Sequence, residues 1–285
     1  HVHLTETGIA LDSLQLGSVR SARELLDAVA GFCVSASSGG GALLGHGWDE
    51  TRWTDPALPS REELERAAGG RNVYLSRVDV HSALVSTSLA AAAGLDGIDG
   101  SGAGSHVTRA AHTAARLATR QLPAAALRGF QQRALAEAAA NGYVALAEMA
   151  APHIGSIEDL RLAAGWNTGP DAVPEILPYW GELATSADHA QSVLDGLGVP
   201  VLGLAGDLNM DGSIGSRTAA LRADYSDAPG ERGSLYLSVA EAAAHVAACS
   251  LLGIQAGFHV IGDAGLDAAL DALDQAAAEV GEQKV

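Results

Sequence analysis

At 285 residues the chain can bury a sizeable core, as one large α/β domain or two smaller ones. Its formal net charge of −17 leaves no basic patch, which argues against both nucleic acid and an anionic membrane surface as partner. The two cysteines, Cys33 and Cys249, are far apart with no CxxC spacing, so neither a disulfide framework nor a cysteine zinc site is expected. Buried free thiols fit a reducing cytoplasm. No apolar run is long enough to span a bilayer and no signal peptide is visible.

In chain order, the sequence opens HVHLTETG, without Met. His1 and His3 would share one face of a strand, because strand side chains alternate. Ser18 to Cys33 reads as a helix with Leu25, Leu26, Val29 and Phe32 on one face. SASSGGGA over 35–42 is a loop. LLGHGWDETRW (43–53) is rich in Trp, His and acids. PSREELERA (59–67) carries a Ser with Glu three residues on, a helix-start signal. RNVYLSRVDVHSALV (71–85) begins as a strand, 94–106 is a Gly-rich loop, and helices are expected near 107–120 and 123–140.

The second half is more regular. Strands are expected over 142–149, 173–183 and 254–263, a strand followed by a turn over 199–212, and helices over 187–197, 237–253 and the stretch after Gly262. Strands alternating with helices imply a parallel sheet with crossover helices. Apolar strands ending in His, Glu or Asp suit the C-terminal face of a (β/α)8 barrel. His1 and His3, Glu148, Asp207 and His259 are placed in that way.

Each candidate also has a plainer reading. An isolated HxH pair is common by chance, and His259 taken alone reads as a hydrogen-bonded core histidine. Asp207 ends an apolar strand, where an unpaired carboxylate is costly, so it needs a metal, backbone donors or an arginine such as Arg217. Arg217 is otherwise a substrate contact. Glu148 is a ligand, an acid/base, or the acceptor of a hydrogen bond from a ligating histidine, the last being favoured. His46, Trp48, Asp49, Asp79 and His81 are candidates to line a pocket, His81 foremost. Asp211-Gly212 reads as a turn and Asp263 as a helix cap. His106, His112, His153, His189 and His245 read as loop or helix-surface residues. No phosphate-cradling Gly loop and no GxSxG elbow is present.

The segments HVHLTETG, GHGWDETRW, YLSRVDVHSALV, GYVALAEM, DLNMDGSIGSRTAAL and GFHVIGDAGLDAAL occur in an order that resembles amidohydrolase family 3. These are metal-dependent hydrolases that include N-substituted formamide deformylase. The resemblance covers essentially the whole chain. It implies an α/β fold, the (β/α)8 TIM barrel of the metal-dependent hydrolase superfamily, with strands 1–5 in this chain and a large insertion after strand 1. Residues 1–9 would form strand 1 and its metal-ligand turn, 10–140 the insertion and its return helices, and 141–285 strands 2–5 with their helices.

The implied ligands of one or two zinc ions are His1, His3 and His259, with Asp207 where many members carry a carbamylated, metal-bridging Lys. The sole Lys here is Lys284, so Asp207 would serve as a direct carboxylate ligand, and one ion, or a less tightly bridged pair, is favoured. Asp207 and Glu148 are the candidate catalytic carboxylates, and His81, Trp48 and Arg217 the candidate substrate contacts. The implied activity is hydrolysis of a non-peptide C–N bond, in an amide, formamide or cyclic amide, by a metal-activated water in a cytoplasmic enzyme taking a small-molecule substrate. The family's strand-6 His and strand-8 Asp have no counterpart in the sequence. The alternative expectation is therefore an incomplete homologue without activity, an internal segment of a longer enzyme. An open set of five strands would expose sheet edge, which predicts a partner chain, self-association as a homodimer, or poor solubility.

Overall fold

A computed structural model describes residues 1–35, 41–120, 122–169 and 173–281. The loop expected over 35–42 falls mostly outside the described residues, as does Lys284. The chain divides into two compact units, Gly8–Pro123 on one hand and His1–Thr7 with Ala124–Val285 on the other. Helix α1 spans Leu4–Asp12.

The unit Gly8–Pro123 holds a mixed five-stranded sheet in the order β1 (Leu14–Gln15), β2 (Leu43–Trp48), β3 (Val73–Arg77), β4 (Ser82–Val85), β5 (His106–Thr108). The first three strands run parallel and the last two antiparallel. The stretch 71–85, expected to begin as a strand, does so and forms a hairpin turned at Val80 with φ of 56°. Alternation along β3 sends Val73 and Leu75 to one apolar core and Tyr74 to another. Helices α2 (Ala22–Ser35) and α3 (Arg61–Ala67) supply Leu25, Val29 and Leu64 to the first core. Helices α4 (Thr87–Ala92) and α5 (Arg109–Thr119) supply Leu89, Ala111 and Ala115 to the second. The sequence signal at Ser60 is a full capping box, with Glu63 returning the bond to the Ser60 N–H.

In the other unit, α6 (Ala124–Ala140) packs Ala134 and Leu135 against Leu4, Trp166 and Ile176. A four-stranded, all-parallel sheet follows in the order β6 (Ala145–Ala150), β7 (Glu175–Trp180), β8 (Gly203–Leu204), β9 (Gln255–Ala256). Its crossover helices are α7 (Ile157–Gly165), α8 (Ala187–Leu197) and α9 (Val239–Leu252), with α10 (Asp263–Val280) after β9. HVH is not a full strand. Val2 alone bridges Glu148 in parallel, through Val2 N–H to Ala147 C=O and Met149 N–H to Val2 C=O, both 2.9 Å, and α1 starts at Leu4.

Five parallel segments thus lie side by side in chain order, an α/β arrangement with crossover helices. The strand and turn expected over 199–212 are present, the strand being short, and the strand expected over 254–263 is shorter than expected. Gly206, at φ of +114°, takes the chain out of extended geometry just before Asp207. A single parallel bridge, Asn209 to His259, continues the pairing beyond it. Among the described residues no helix is long and apolar enough to cross a membrane.

Candidate metal centre

The bridge at Val2 fixes the two residues that flank it, His1 and His3, beside the end of β6. The turn at Gly206 brings Asp207 to them. His1 Nε2 and His3 Nε2 stand 3.3 Å apart. His1 Nε2 is 3.3 Å from Asp207 Oδ1, and His3 Nε2 is 3.1 Å from Oδ2. The three residues form the one group of potential metal donors among the described residues whose atoms all lie within 4.8 Å of one another. Asp207 is 15% exposed, His3 21% and His1 52%, so the cluster opens to solvent on the His1 side.

Burial opposes ionisation of Asp207, but the contacts from His1 and His3 and the charges of His3 and His259 hold its carboxyl well below the usual carboxylate range. Asp207 in turn raises the His1 imidazole, against burial. Without an ion, this is a carboxylate gripped by two imidazoles.

The donor set suits a divalent cation. Two imidazoles and one carboxylate are the chemistry of catalytic zinc, and spacings of 3.1–3.3 Å match polyhedron edges around an ion at bond lengths of about 2.0–2.2 Å. His3 Nδ1 and Asp207 Oδ1 are both buried without a well-directed hydrogen bond. His259 stands outside this group. Its N–H donates to Leu208 C=O and its C=O accepts from Met210, and its ring is near enough for its charge to act on Asp207.

The turn that follows the cluster is held from below by carboxylates. Glu148, 6% exposed, accepts the Leu4 N–H at 2.7 Å, the first donor of α1. The hydrogen bond expected from a ligating histidine to Glu148 is replaced by this backbone contact. Burial, reinforced by the charges of Asp159 and Asp207, pushes Glu148 up to about 8 despite the Leu4 bond. Asp159 Oδ1 accepts from Thr5 Oγ1 at 2.6 Å and from Gln131 Nε2 at 2.8 Å, and Gln131 Oε1 accepts from Trp166 Nε1 at 2.9 Å. Nothing in the sequence marked this network, because Thr5, Gln131 and Asp159 come from three separate helices with no shared motif.

The remaining expectations divide. Asp211 is structural. It is fully buried, its Oδ2 accepting from Ala220 and Gly262 N–H and its Oδ1 from Ile261 N–H, at 2.7–2.9 Å. Gly262, not Asp263, occupies the cap position of α10; Asp263 accepts the Arg222 N–H instead. Arg217 does not reach Asp207 but pairs with Asp227 at 2.8 Å, half-exposed. Trp48 cannot present a face to a ligand. It is fully buried, donates Nε1–H to Leu75 C=O at 2.8 Å and lies under the Arg77 guanidinium. Asp49 and Asp79, offered as pocket residues, pair with that buried Arg77 together with Glu50. His81 follows the strained Val80 in the β3–β4 turn, part-exposed, its N–H donating to Asp79. It belongs to the unit Gly8–Pro123 and is not one of the metal-donor group.

Two histidines read as surface residues are buried. His245 accepts the Ala184 N–H at Nδ1 and so donates from Nε2 to Leu204 C=O, with burial favouring its neutral form. His112 bonds Tyr74 Oη at 2.8 Å. The apolar residues around each histidine carry no sign of such a partner.

A sequence model of the amidohydrolase family matches residues 1–285. Two solved structures share the fold, both of uncharacterized metal-dependent hydrolases. The one from Pyrococcus horikoshii OT3 is 22% identical, with a TM-score of 0.68 over 96% of this chain and 55% of its own length. The one from Pyrococcus furiosus is 24% identical, with a TM-score of 0.66 over 97% of this chain and 57% of its own. This chain thus spans about half the length of the structures it matches. No curated protein matches it. With its parallel sheet and the family match running from the first residue to the last, the chain belongs to the amidohydrolase family.

Proposed function

We propose that the protein is a zinc-dependent hydrolase of a non-peptide C–N bond, in an amide, formamide or cyclic amide, acting in the cytoplasm. The observation that carries this reading is the convergence of His1, His3 and Asp207 on one another at 3.1–3.3 Å. His1, His3 and Asp207 would hold a single ion, and His259, which bridges Asn209 and acts on the charge of Asp207, is the candidate for a further ligand or a proton carrier. Zinc, when bound, lowers the pKa of a coordinated water to about 7 and polarises a carbonyl.

The chain's own residues prepare that chemistry. Asp207 supplies one negative charge against the cation and is already ionised in the absence of metal. His1 must surrender the proton that Asp207 helps it keep, so loading releases a proton and strengthens as pH rises. Glu148, Asp159 and Gln131 hold the turn that follows His3, which fixes the backbone from which His3 projects. The half-exposed His1 side is where a substrate carbonyl and water would enter. Cys33 and Cys249 are unpaired thiols, in keeping with a reducing compartment.

The test is zinc content by atomic absorption, followed by turnover of N-formyl amines, simple amides and cyclic amides with the loaded protein. Stoichiometric zinc with chelator-sensitive release of amine supports the reading. Failure to bind zinc at neutral pH overturns it. Zinc without turnover on any of the three classes leaves a metal-binding homologue without the activity.

A further inference from the structure

The parallel sheet that carries the metal-donor group has two faces, and the core tells them apart. Met210, Phe258 and Val260 pack with Ala242 and Ala243 of α9 and Ala268 and Ala272 of α10. Val2 packs with Leu135 of α6 and Ala163 of α7. Side chains alternate along extended backbone. Asn209 and His259 are chain neighbours of those residues and partners in one parallel bridge, so both face away from the helices, as His1 and His3 do. Asn209 therefore shares a face with the metal-donor group, two residues beyond Asp207. Its bridge partner His259 is near enough for its charge to act on Asp207.

Asn209 leaves a hydrogen-bond acceptor unmatched on that face. Its Oδ1 is reached neither by solvent nor by any donor among the described residues. Such oxygens are rare in native proteins, because an acceptor stripped of water and given no donor is destabilising. The residue as a whole is part-exposed. The torsion that aims a carboxamide is soft, so the amide can turn Oδ1 toward a ligand without moving the backbone.

We propose that Asn209 is a specificity-determining residue that accepts a hydrogen bond from the N–H of the substrate amide. This deepens the hydrolase reading and rests on it. With the substrate's carbonyl oxygen turned to the metal, the N–H is the one polar group of the amide left to recognise. Asp207 is engaged by His1 and His3 at 3.1–3.3 Å, which leaves Asn209 as the acceptor. The substrate class narrows accordingly. Primary amides, N-monosubstituted amides and formamides, and cyclic amides that keep their N–H are taken, and N,N-disubstituted amides are rejected.

The test compares N-formylbenzylamine with its N-methyl derivative, in which a methyl group replaces that hydrogen. Zinc content is measured first for the native protein, Asn209→Leu and Asn209→Asp. Each loaded protein is assayed for kcat/KM on both compounds. Cobalt-loaded protein is titrated with both by visible absorption, which reads binding whether or not turnover follows. The native protein should prefer the N–H compound, and Asn209→Leu should shrink that preference about tenfold, the effect of one neutral hydrogen bond. Asn209→Asp keeps an acceptor and should keep the preference. Equal use of the two compounds by the native protein overturns the assignment and leaves the hydrolase reading standing. So does a preference that survives Asn209→Leu, or metal-loaded protein that binds neither compound. Failure to hold metal overturns the hydrolase reading and the assignment together. Should Asn209→Leu not fold, Asn209→Ala takes its place with the same expected loss.

Discussion

The two units use the same residue types to opposite ends. In Gly8–Pro123, the Trp48, Asp49, Glu50, Arg77 and Asp79 group has its charges balanced locally: three carboxylates surround a buried arginine, and the indole donates to a backbone carbonyl. In the other unit, His1 and His3 both close on the Asp207 carboxylate, and His3 Nδ1 and Asp207 Oδ1 are still left buried without well-directed bonds. The first arrangement is complete as it stands, and the second offers a donor set that a cation would complete. A polar cluster therefore signals chemistry only when its members fail to satisfy each other.

The strongest way to break that contrast is Trp48→Ala. If Trp48 is core, its loss costs about 3–5 kcal/mol, seen as a lowered denaturation midpoint of its unit, with zinc affinity unchanged. A variant of native stability with altered substrate binding would return Trp48 to a pocket. Next in size, Asp207→Asn should weaken zinc binding about 100-fold or more, read by competition with a chromogenic chelator, since roughly 2.7 kcal/mol corresponds to that factor. Unchanged affinity would mean that the ion, if any, is held elsewhere.

A pH-dependent effect, smaller than these within any one pH unit, is expected at Glu148. Its carboxyl keeps its proton in the folded protein up to about 8, whereas the ordinary value is 4.5. The folded state thus binds more protons between those values, and stability falls as pH rises through that window, by at most about 1.4 kcal/mol per unit for this group. Glu148→Gln keeps an acceptor for the Leu4 N–H and cannot titrate. Urea denaturation of metal-free protein from pH 5 to 8 should show a flatter profile in the variant, and parallel profiles would contradict the assignment. Least of all, Arg217→Ala removes a half-exposed pair with Asp227 and should leave the unfolding midpoint essentially where it was. A large drop would show that Arg217 does more than solvate a turn.

The sequence made the parallel half of the fold readable because the 3.6-residue and two-residue periods alternate cleanly from residue 142 onward. Ser60 and Ser238 announced their helices through capping boxes, and both form. His1, His3 and Asp207 stood out because polar side chains interrupt apolar context, and the fold gathers all three. Other features depend on contacts between distant segments. Nothing near Trp48 says that Leu75 C=O will take its proton, or that Arg77 will collect three acids. The Thr5, Gln131 and Asp159 network joins residues up to 154 positions apart. The end of β8 at Leu204 is hidden in the sequence because Gly206 turns the backbone where apolar composition continues.

Asp211 gives the molecule a practical handle. Its carboxylate draws the Ala220, Ile261 and Gly262 amides to one point, so the loop between 211 and 220 is closed at its neck much like a purse by its string. Loop length costs little once the ends are held. Ser213, Thr218 and Ala219 are buried at that neck, so the exposed tip around Ile214 and Gly215 is the natural place to try insertions while Asp207 on one side and His259 on the other keep their places.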